Sequence, residues 1–282
     1  MIAPRFDTIL ITGAAGNLGT QLRRGLAPLA RKLRLNDVKE IADLKVNEEA
    51  AICDLADEAA VHAMCEGVDA IVHFGGAPVE RPWEEVLNSS IRGSYHIYEG
   101  ARKHGVKRIA YASSVHAIGF HPLEAHIDAK TPQRPDTLYG EVKLAAEEAL
   151  GPGGTSLRIT GVYGPPVPGR AHKWADLLES FEAGRHMAPR ISTEVHAEDV
   201  AAAVALVIET RAAGVVNVSD IVLDRRDLLE TWAKITGRGG VLPPTADPGA
   251  VREMDTARLR GLGWQPRGGA GVREVLGALA AQ

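Results

Sequence analysis

A tyrosine and a lysine lie four residues apart, at Tyr139 and Lys143, in a stretch with helical periodicity. Four residues make about one helical turn, so we expect both side chains on one face of a helix. A phenol with a pKa of about 10 is a poor base at neutral pH, and lowering that pKa by about 3 units takes about 4 kcal/mol of preferential phenolate stabilisation. A neighbouring ammonium favours the phenolate. The pair therefore predicts a base that removes a proton from a hydroxyl group.

Ser113 and Ser114 follow the apolar run 108–112 and offer a second polar group for such a reaction. A serine hydroxyl at a strand end can hydrogen-bond the reacting hydroxyl and hold it against the base. A tyrosine and a lysine at this spacing also occur by chance on exposed helix faces, where the lysine is simply solvated. The presence of Ser114 and of a glycine-rich loop near the N-terminus favours the catalytic interpretation.

That loop lies between an apolar run at 8–12 and a helical stretch at 21–30. Glycines in such a loop permit a tight turn, so that a pyrophosphate can approach the free N–H groups and the positive end of the following helix. The alternative is a strand-to-helix turn that binds nothing. The predicted cofactor contacts are Gly13, Gly16, Asn17, Leu18 and Gly19.

Asp37 ends the second strand candidate about twenty residues beyond the glycines, where a carboxylate accepts hydrogen bonds from the ribose hydroxyls of a dinucleotide. The same carboxylate would repel a 2′-phosphate, so Asp37 favours NAD over NADP, and Lys39 is the one neighbouring feature that favours NADP. Asp54 and Leu55 are predicted to face the adenine. A solvated turn is the alternative for both acids.

A second close approach of the backbone to the cofactor is predicted at Phe74, Gly75 and Gly76, directly after the fourth strand candidate. A plain turn is the alternative, because two adjacent glycines are common in turns.

Apolar runs alternate with helical stretches through the first half of the chain, which predicts βαβ units and a parallel sheet covered by helices on both faces. We therefore expect a Rossmann-type α/β fold that binds ligands at the carboxyl ends of its strands. The strand candidates are 8–12, 33–36, 51–53, 70–74, 108–112 and 156–159.

The alternation is lost after residue 160, where segments rich in proline and glycine begin. We expect an NAD-binding domain at 1–160 and a smaller substrate-binding lobe at 161–282. A helical stretch at 198–209 and a strand candidate at 215–219 indicate that residues 191–220 return to the Rossmann sheet.

Composition excludes several classes of partner. The chain of 282 residues has a formal charge of −4, which gives no basic excess for nucleic acid or anionic lipid. Cys53 and Cys65 are too few for a disulfide framework and too isolated for a metal site, so we interpret them as buried thiols in a reducing compartment. The chain shows no leader segment and no membrane span, and a cytoplasmic location is expected.

Several strings of residues carry a family resemblance that spans nearly the whole chain. The sequence resembles the extended short-chain dehydrogenase/reductases, also known as the NAD-dependent epimerase/dehydratase superfamily. Within them it is most similar to the uronate dehydrogenases, which oxidise hexuronates at C1 to aldarolactones with NAD. The matching strings are residues 75–83, 98–102, 112–119 and 134–140.

The resemblance implies Ser114, Tyr139 and Lys143 as the catalytic serine, tyrosine and lysine, and NAD as the cofactor. It places Arg170 where this family binds the substrate carboxylate. It further implies a homodimer formed through the helices around 86–103 and 139–150. The other substrate contacts implied are Ala77, Ser113 and His116.

The chain departs from the uronate dehydrogenase pattern on the substrate side. Val115 replaces an asparagine that contacts substrate, Ala77 and Gly161 replace serines, and Ser90 replaces a helix asparagine that helps to place the catalytic lysine. The reaction type is therefore indicated more firmly than the sugar. From residue 195 onward the chain resembles the general family, and we interpret His196 and Asp199 as structural residues at a helix start.

Three alternatives to a hexuronate dehydrogenase follow from the same residues. One is an aldose 1-dehydrogenase acting on a neutral sugar. The second is an NDP-sugar epimerase or dehydratase, which uses the same serine, tyrosine and lysine but retains its NAD and needs a larger C-terminal lobe. The third is a non-catalytic dinucleotide sensor, against which the intact Ser114, Tyr139 and Lys143 argue.

Overall fold

The computed structural model describes residues 4–77, 82–121, 126–167 and 169–281. The strands are β1 (Phe6–Thr12), β2 (Ala30–Asp37), β3 (Glu48–Ile52), β4 (Ala70–His73), β5 (Ile109–Ser114), β6 (His126–Ile127), β7 (Gly154–Ile159), β8 (Gly161–Tyr163), β9 (Ile191–His196), β10 (Gly214–Val218), β11 (Ile221–Asp224) and β12 (Glu253–Met254). The helices are α1 (Asn17–Leu26), α2 (Glu58–Met64), α3 (Trp83–Val86), α4 (Gly93–Lys103), α5 (Leu138–Leu150), α6 (Ala175–Glu182), α7 (Ala197–Thr210), α8 (Arg225–Thr236), α9 (Ala257–Gly261) and α10 (Gly269–Ala280), and a π-helical segment (Leu87–Arg92) joins α3 to α4.

The central sheet has seven parallel strands in the order β10-β7-β5-β4-β1-β2-β3. The chain builds outward from β1 through β2 and β3, then crosses to the other side of β1 and continues with β4. This reversal leaves a crevice at the carboxyl ends of β1 and β4, which is where ligands bind in doubly wound folds. The predicted Rossmann-type fold is confirmed.

The sheet is covered on both faces. α1 and α7 pack against one face, with Leu22, Leu26 and Val204 in the core between them. α2, α4 and α5 cover the other face, where Ile97 and Val61 are buried. Apolar contact on both faces explains why the strands of this sheet are near-continuous apolar runs in the sequence.

A separate hydrophobic core lies in the C-terminal part. It joins α6, α8 and α10 through residues such as Phe181, Trp232 and Leu276. A three-stranded sheet in the order β11-β9-β8 lies beside it, and β10 returns to the edge of the central sheet next to β7. Within the described residues, we find no helix with the length and apolar character needed to cross a membrane.

Three sequence expectations differ from the structure in detail. Of the segment 191–220 expected to return to the Rossmann sheet, residues 191–196 form β9 of the separate three-stranded sheet, and only the part with α7 and β10, residues 197–218, returns. The first helix spans Asn17–Leu26 rather than 21–30, because the glycine loop leads directly into it and Pro28 lies in a 3₁₀ turn (Ala27–Leu29) after it. Cys65 is buried as expected, but Cys53 is only half-buried. Burial raises the pKa of the Cys65 thiol to about 12.

Candidate active site

The glycine loop connects β1 to α1 in a conformation that requires glycine. Gly13 has φ +71°, and a Cβ atom there would lie 2.7 Å from the carbonyl oxygen of Phe74. A Cβ atom on Gly19 would come within 2.2 Å of the Gly13 carbonyl oxygen. The loop therefore packs tightly against the end of β4 and presents the N-terminus of α1 to the crevice.

Asp37 lies beside this loop at the end of β2. Its carboxylate accepts hydrogen bonds from the backbone N–H of Ala15 at 2.9 Å and of Lys39 at 3.1 Å. These contacts fix the carboxylate at the mouth of a cavity of about 570 Å³. The predicted cofactor residues that line this cavity are Gly13, Gly16, Asp37, Asp54, Leu55, Phe74, Gly75 and Gly76.

A second cavity, of about 310 Å³, lies on the other side of the loop, and Gly13, Gly16 and Phe74 line both. The two cavities form one groove across the crevice, with Asp37 at one end. The second cavity is lined by predicted site residues including Asn17, Leu18, Gly19, Ser113, Ser114, Tyr139 and Lys143. A groove of this form, with a ribose-binding carboxylate at one end and a helix N-terminus at its centre, fits a dinucleotide.

Tyr139 and Lys143 lie on the first turns of α5, which begins at Leu138, directly after its N-cap residue Thr137. The Thr137 hydroxyl caps the helix by accepting the backbone N–H of Gly140 at 3.1 Å. The Lys143 ammonium lies 5.6 Å from the centre of the Tyr139 ring. The two side chains therefore share one helical face, as the spacing predicts.

Lys143 is held by a backbone carbonyl and a second aromatic ring. Its ammonium donates to the Ala112 carbonyl oxygen at 2.9 Å and lies 5.2 Å from the centre of the Tyr111 ring. Desolvation of the ammonium lowers the pKa of Lys143 to about 8. Tyr111 is a residue that sequence reasoning missed, since a tyrosine inside an apolar strand is ordinarily a core residue.

Ser114 and His116 complete this end of the groove. The buried Ser114 hydroxyl accepts the backbone N–H of His116 at 3.3 Å, and the His116 ring packs edge-on to Tyr139 with ring centres 5.6 Å apart. Adjacent residues of a strand point to opposite faces of a sheet, so Ser113 turns away from Ser114. The substrate-binding roles of Ser113 and His116 stay predictions.

The buried His73, also missed from the sequence, supports the second glycine loop, which consists of Phe74, Gly75 and Gly76. Thr12 Oγ accepts the N–H groups of Phe74 at 3.2 Å and Gly75 at 2.9 Å and lies 2.7 Å from His73 Nδ1. Because that oxygen already accepts two protons, its own proton must point at Nδ1, so His73 carries its proton on Nε2 and donates it to Ser94 Oγ at 2.9 Å. Burial, with a smaller effect of the Lys143 charge, lowers the pKa of His73 to about 3.

Ser90 helps to hold the second glycine loop rather than Lys143. Its hydroxyl donates to the Ala77 carbonyl oxygen at 3.4 Å, and a Cβ atom on Gly76 would lie 2.9 Å from that hydroxyl. Ala77 itself follows the loop and donates its N–H to Ser89 Oγ at 3.0 Å. The residues 78–81 of the string that carries the family resemblance lie outside the described residues.

A buried ion pair lies one helical turn beyond Lys143. Arg158 on β7 is fully buried and donates to Glu147 on α5 at 2.5 Å, and Ser156 donates to the same carboxylate at 2.6 Å. This pair anchors α5 to the sheet. The polar residues Ser156 and Arg158 within an apolar strand were the signal for it in the sequence.

The Arg170 side chain contacts the first glycine loop, the one between β1 and α1. Its guanidinium donates to Asn17 Oδ1 at 2.8 Å and to the carbonyl oxygen of Ala15. The side chain is exposed and borders a small cavity next to the catalytic end of the groove. Its predicted role as the partner of a substrate carboxylate stays a prediction.

His196 and Asp199 are structural, as expected. His196 caps α7, with its Nδ1 accepting the N–H of Glu198 at 3.2 Å. The Asp199 carboxylate accepts the N–H of Arg267 at 3.0 Å, and burial raises its pKa.

Comparison with known proteins assigns the family. The model of the NAD dependent epimerase/dehydratase family matches residues 9–219. The chain belongs to this family. A crystal structure of uronate dehydrogenase from Agrobacterium tumefaciens is 32% identical and superposes with a TM-score of 0.65, covering 93% of this chain and 84% of that one.

Two curated relatives have names that refer to a sugar or a sugar acid. Uronate dehydrogenase of Pseudomonas syringae pv. tomato is 54% identical over 144 residues, which are 51% of this chain and 52% of the relative. L-Arabinose 1-dehydrogenase of Haloferax volcanii is 32% identical over 157 residues, or 51% of this chain and 59% of the relative. The matches thus span little more than half the length of these curated relatives.

Proposed function

We propose that the protein is an oxidoreductase that converts the C1 hydroxyl of a hexuronate to a lactone, with NAD as the acceptor. The observation that carries the proposal is the placement of Ser114, Tyr139 and Lys143 at one end of the groove that has Asp37 at the other. The similarity to uronate dehydrogenases supports the choice of substrate class.

The residues of the chain divide the work of the reaction. Ser114 hydrogen-bonds the C1 hydroxyl, and the Tyr139 phenolate takes its proton. Lys143, fixed by the Ala112 carbonyl and the Tyr111 ring, stabilises the phenolate electrostatically. Bound NAD supplies the acceptor for the hydride that leaves C1. Because C1 of a cyclic sugar also bears the ring oxygen, loss of the proton and the hydride gives a lactone.

The cofactor is held by residues from both sides of the loop. The N-terminus of α1 would face the pyrophosphate, and Asp37 would accept hydrogen bonds from the ribose hydroxyls. Gly75 and Gly76 allow close approach of the backbone, and their loop is held by Thr12.

A substrate screen tests the proposal. Glucuronate and galacturonate, and the neutral sugars glucose, galactose and arabinose, are offered with NAD while the absorbance of NADH is followed. We expect turnover with at least one uronate.

The Tyr139→Phe variant keeps the ring and should lose about 10²- to 10⁴-fold in kcat while still binding NAD. Turnover near the native rate in this variant would assign the proton to another group.

A neutral aldose is the second candidate substrate, and a specific observation favours it. Arg170 bonds to the glycine loop, and Val115 and Gly161 offer no polar side chain to a sugar acid. Turnover of neutral sugars alone in the same screen would establish this candidate.

The epimerase alternative differs in the fate of the hydride. An NDP-sugar epimerase returns it to the sugar and releases no net NADH. Conversion of UDP-glucose without NADH formation would therefore overturn the dehydrogenase proposal.

We also propose a homodimer formed through α4 and α5. Tyr95 on α4 and Leu138 at the start of α5 are exposed, at 48% and 44%. Light scattering should then give about twice the chain mass of 30.0 kDa, and Tyr95→Glu should return the mass to that of one chain.

A further inference from the structure

One guanidinium reaches from the C-terminal part of the chain to the start of α1. Arg170 lies in the connection between β8 and α6, more than 150 residues along the chain from its two acceptors, Ala15 and Asn17. Both acceptors are neutral oxygens. Among the described residues, no carboxylate forms an ion pair with Arg170.

This position is electrostatically unfavourable for a cation. The N-terminus of a helix carries a positive partial charge, which attracts anions and repels a guanidinium. The described first turn of α1 has no acidic residue, and Gly16 at its N-cap offers no side chain. The neighbouring carboxylate of Asp37 is bonded to the N–H groups of Ala15 and Lys39. Two positive sources therefore converge on one spot, where the described residues place no acid in the first turn of α1 and no ion pair on Arg170.

We propose that Arg170 binds the pyrophosphate of the dinucleotide cofactor. A guanidinium has five N–H donors, of which the loop contacts use two, so donors remain for a phosphate. Its planar geometry suits bidentate contact with phosphate oxygens. An anion placed between the α1 N-terminus and Arg170 relieves the repulsion between them. The inference rests on the cofactor-binding part of the proposed function, and it gives Arg170 a ligand other than the sugar carboxylate.

This assignment links the substrate side of the groove to the cofactor side. Val167 and Arg170 both lie in the β8–α6 connection. This connection lines the cavity beside the catalytic groups. Arg170 already holds this connection against α1 through Ala15 and Asn17, so its contact with the cofactor would join the two sides of the groove.

Binding measurements without any sugar test the inference. The dissociation constants of NAD, ADP and adenosine are measured by calorimetry for the native chain, Arg170→Met, Arg170→Lys and Arg185→Met. Arg185 is an exposed arginine near the end of α6 that bonds only to its neighbours Ser180 and Glu179, which makes it a matched control.

We expect Arg170→Met to weaken NAD and ADP binding by roughly 10- to 100-fold, the value of a charge-assisted hydrogen bond. Adenosine, which has no pyrophosphate, should bind equally to both proteins. Arg170→Lys should retain part of the affinity, and Arg185→Met all of it. Added salt should narrow the difference between the native chain and Arg170→Met.

Unchanged ADP affinity in Arg170→Met would overturn the inference, and a loss confined to the uronate KM would assign Arg170 to the sugar carboxylate. Weakened adenosine binding, or a lower melting temperature of the ligand-free variant, would mean that Arg170→Met disturbs the fold. The ADP affinity of Arg170→Lys then decides. A native chain that binds NAD through Arg170 but oxidises no uronate would leave this inference standing and reject the proposed function. A native chain that binds neither NAD nor ADP would reject both.

Discussion

The ammonium of Lys143 is held by one carbonyl oxygen and two aromatic rings. Ser90, where the resemblance implies an asparagine that helps to place this lysine, bonds instead to Ala77. The face of the Tyr111 ring takes over part of that work, since a cation over an aromatic face is attracted to it.

Replacing Tyr111 tests this contact. Tyr111→Leu removes the ring and should lower kcat by about 2- to 30-fold, the equivalent of a cation–π interaction of about 0.5–2 kcal/mol. Tyr111→Phe keeps the ring and is the control, with kcat near the native value. An equal loss in both variants would show that the hydroxyl, and not the ring face, supports Lys143.

We expect Asp37 to determine the choice between NAD and NADP. Its carboxylate is fixed toward the groove by two backbone N–H groups, so a 2′-phosphate would meet a negative charge that cannot turn away. We expect a higher kcat/KM with NAD than with NADP, and a smaller preference in Asp37→Ser. Equal efficiency with both cofactors in the native chain would refute this and direct attention to Lys39.

At the scale of elements, β1 and β4 are tied together behind the second glycine loop by His73. Register pairs Thr12 with His73, which places their side chains in contact. The neutral imidazole lies between a threonine and a serine hydroxyl, and a proton added to Nδ1 would break the bond from Thr12.

The pH dependence of stability follows from this burial. The pKa of His73 is about 3 in the folded chain against 6.5 for the free group, so the unfolded chain binds the extra proton between these values. His73 therefore stabilises the fold above pH 6.5, and that stability is lost as the pH falls toward 3, by up to about 1.4 kcal/mol per pH unit.

Denaturant unfolding at pH 6, 5 and 4 should show a shallower decline in the free energy of unfolding for His73→Gln than for the native chain. The exposed His186→Gln is the control and should decline like the native chain. Parallel declines for all three would contradict the role of His73.

The strands and the shared face of Tyr139 and Lys143 were accessible from sequence for a physical reason. Buried parallel strands leave apolar runs, and Tyr139 and Lys143 are neighbours on one helix, so local spacing carries the information. The contacts of His73, Tyr111 and Arg158 were not accessible, because their partners come from other elements. For Arg158 the sequence signalled a polar residue within an apolar strand, but not Glu147 as its partner. The short strands β8, β9 and β11 were missed for two reasons. β8 and β11 have only three and four residues, and polar residues such as the buried Glu194 break the apolar pattern of β9.

At the scale of the whole molecule, the contact between α1 and α7 joins the beginning of the chain to its C-terminal part. A Cβ atom on Gly25 would lie 2.7 Å from the Cβ of Ala201, so the two helices approach as closely as a glycine allows. Gly25→Ala should destabilise the fold by about 1–3 kcal/mol through overpacking. Gly277→Ala on α10, where the added methyl meets open space, should be neutral or stabilising by up to about 1 kcal/mol. Denaturant unfolding measures the stability of both variants. Equal stability would show that α1 and α7 move apart readily to accommodate the added methyl group.

The return of α7 and β10 to the central sheet restricts how such a gene can be recombined. The sheet is encoded by two separated blocks, because residues 161–196 leave it and residues 197–218 come back. A single crossover near codon 160 would pair six strands of one parent with the edge strand β10 and the covering helix α7 of another. Exchange of the whole substrate side needs three crossovers, near codons 160, 197 and 219, because β9 and α6 pack with β11, α8 and α10. A lineage that changes its sugar by recombination would therefore inherit the sheet whole and replace two segments that pack against each other.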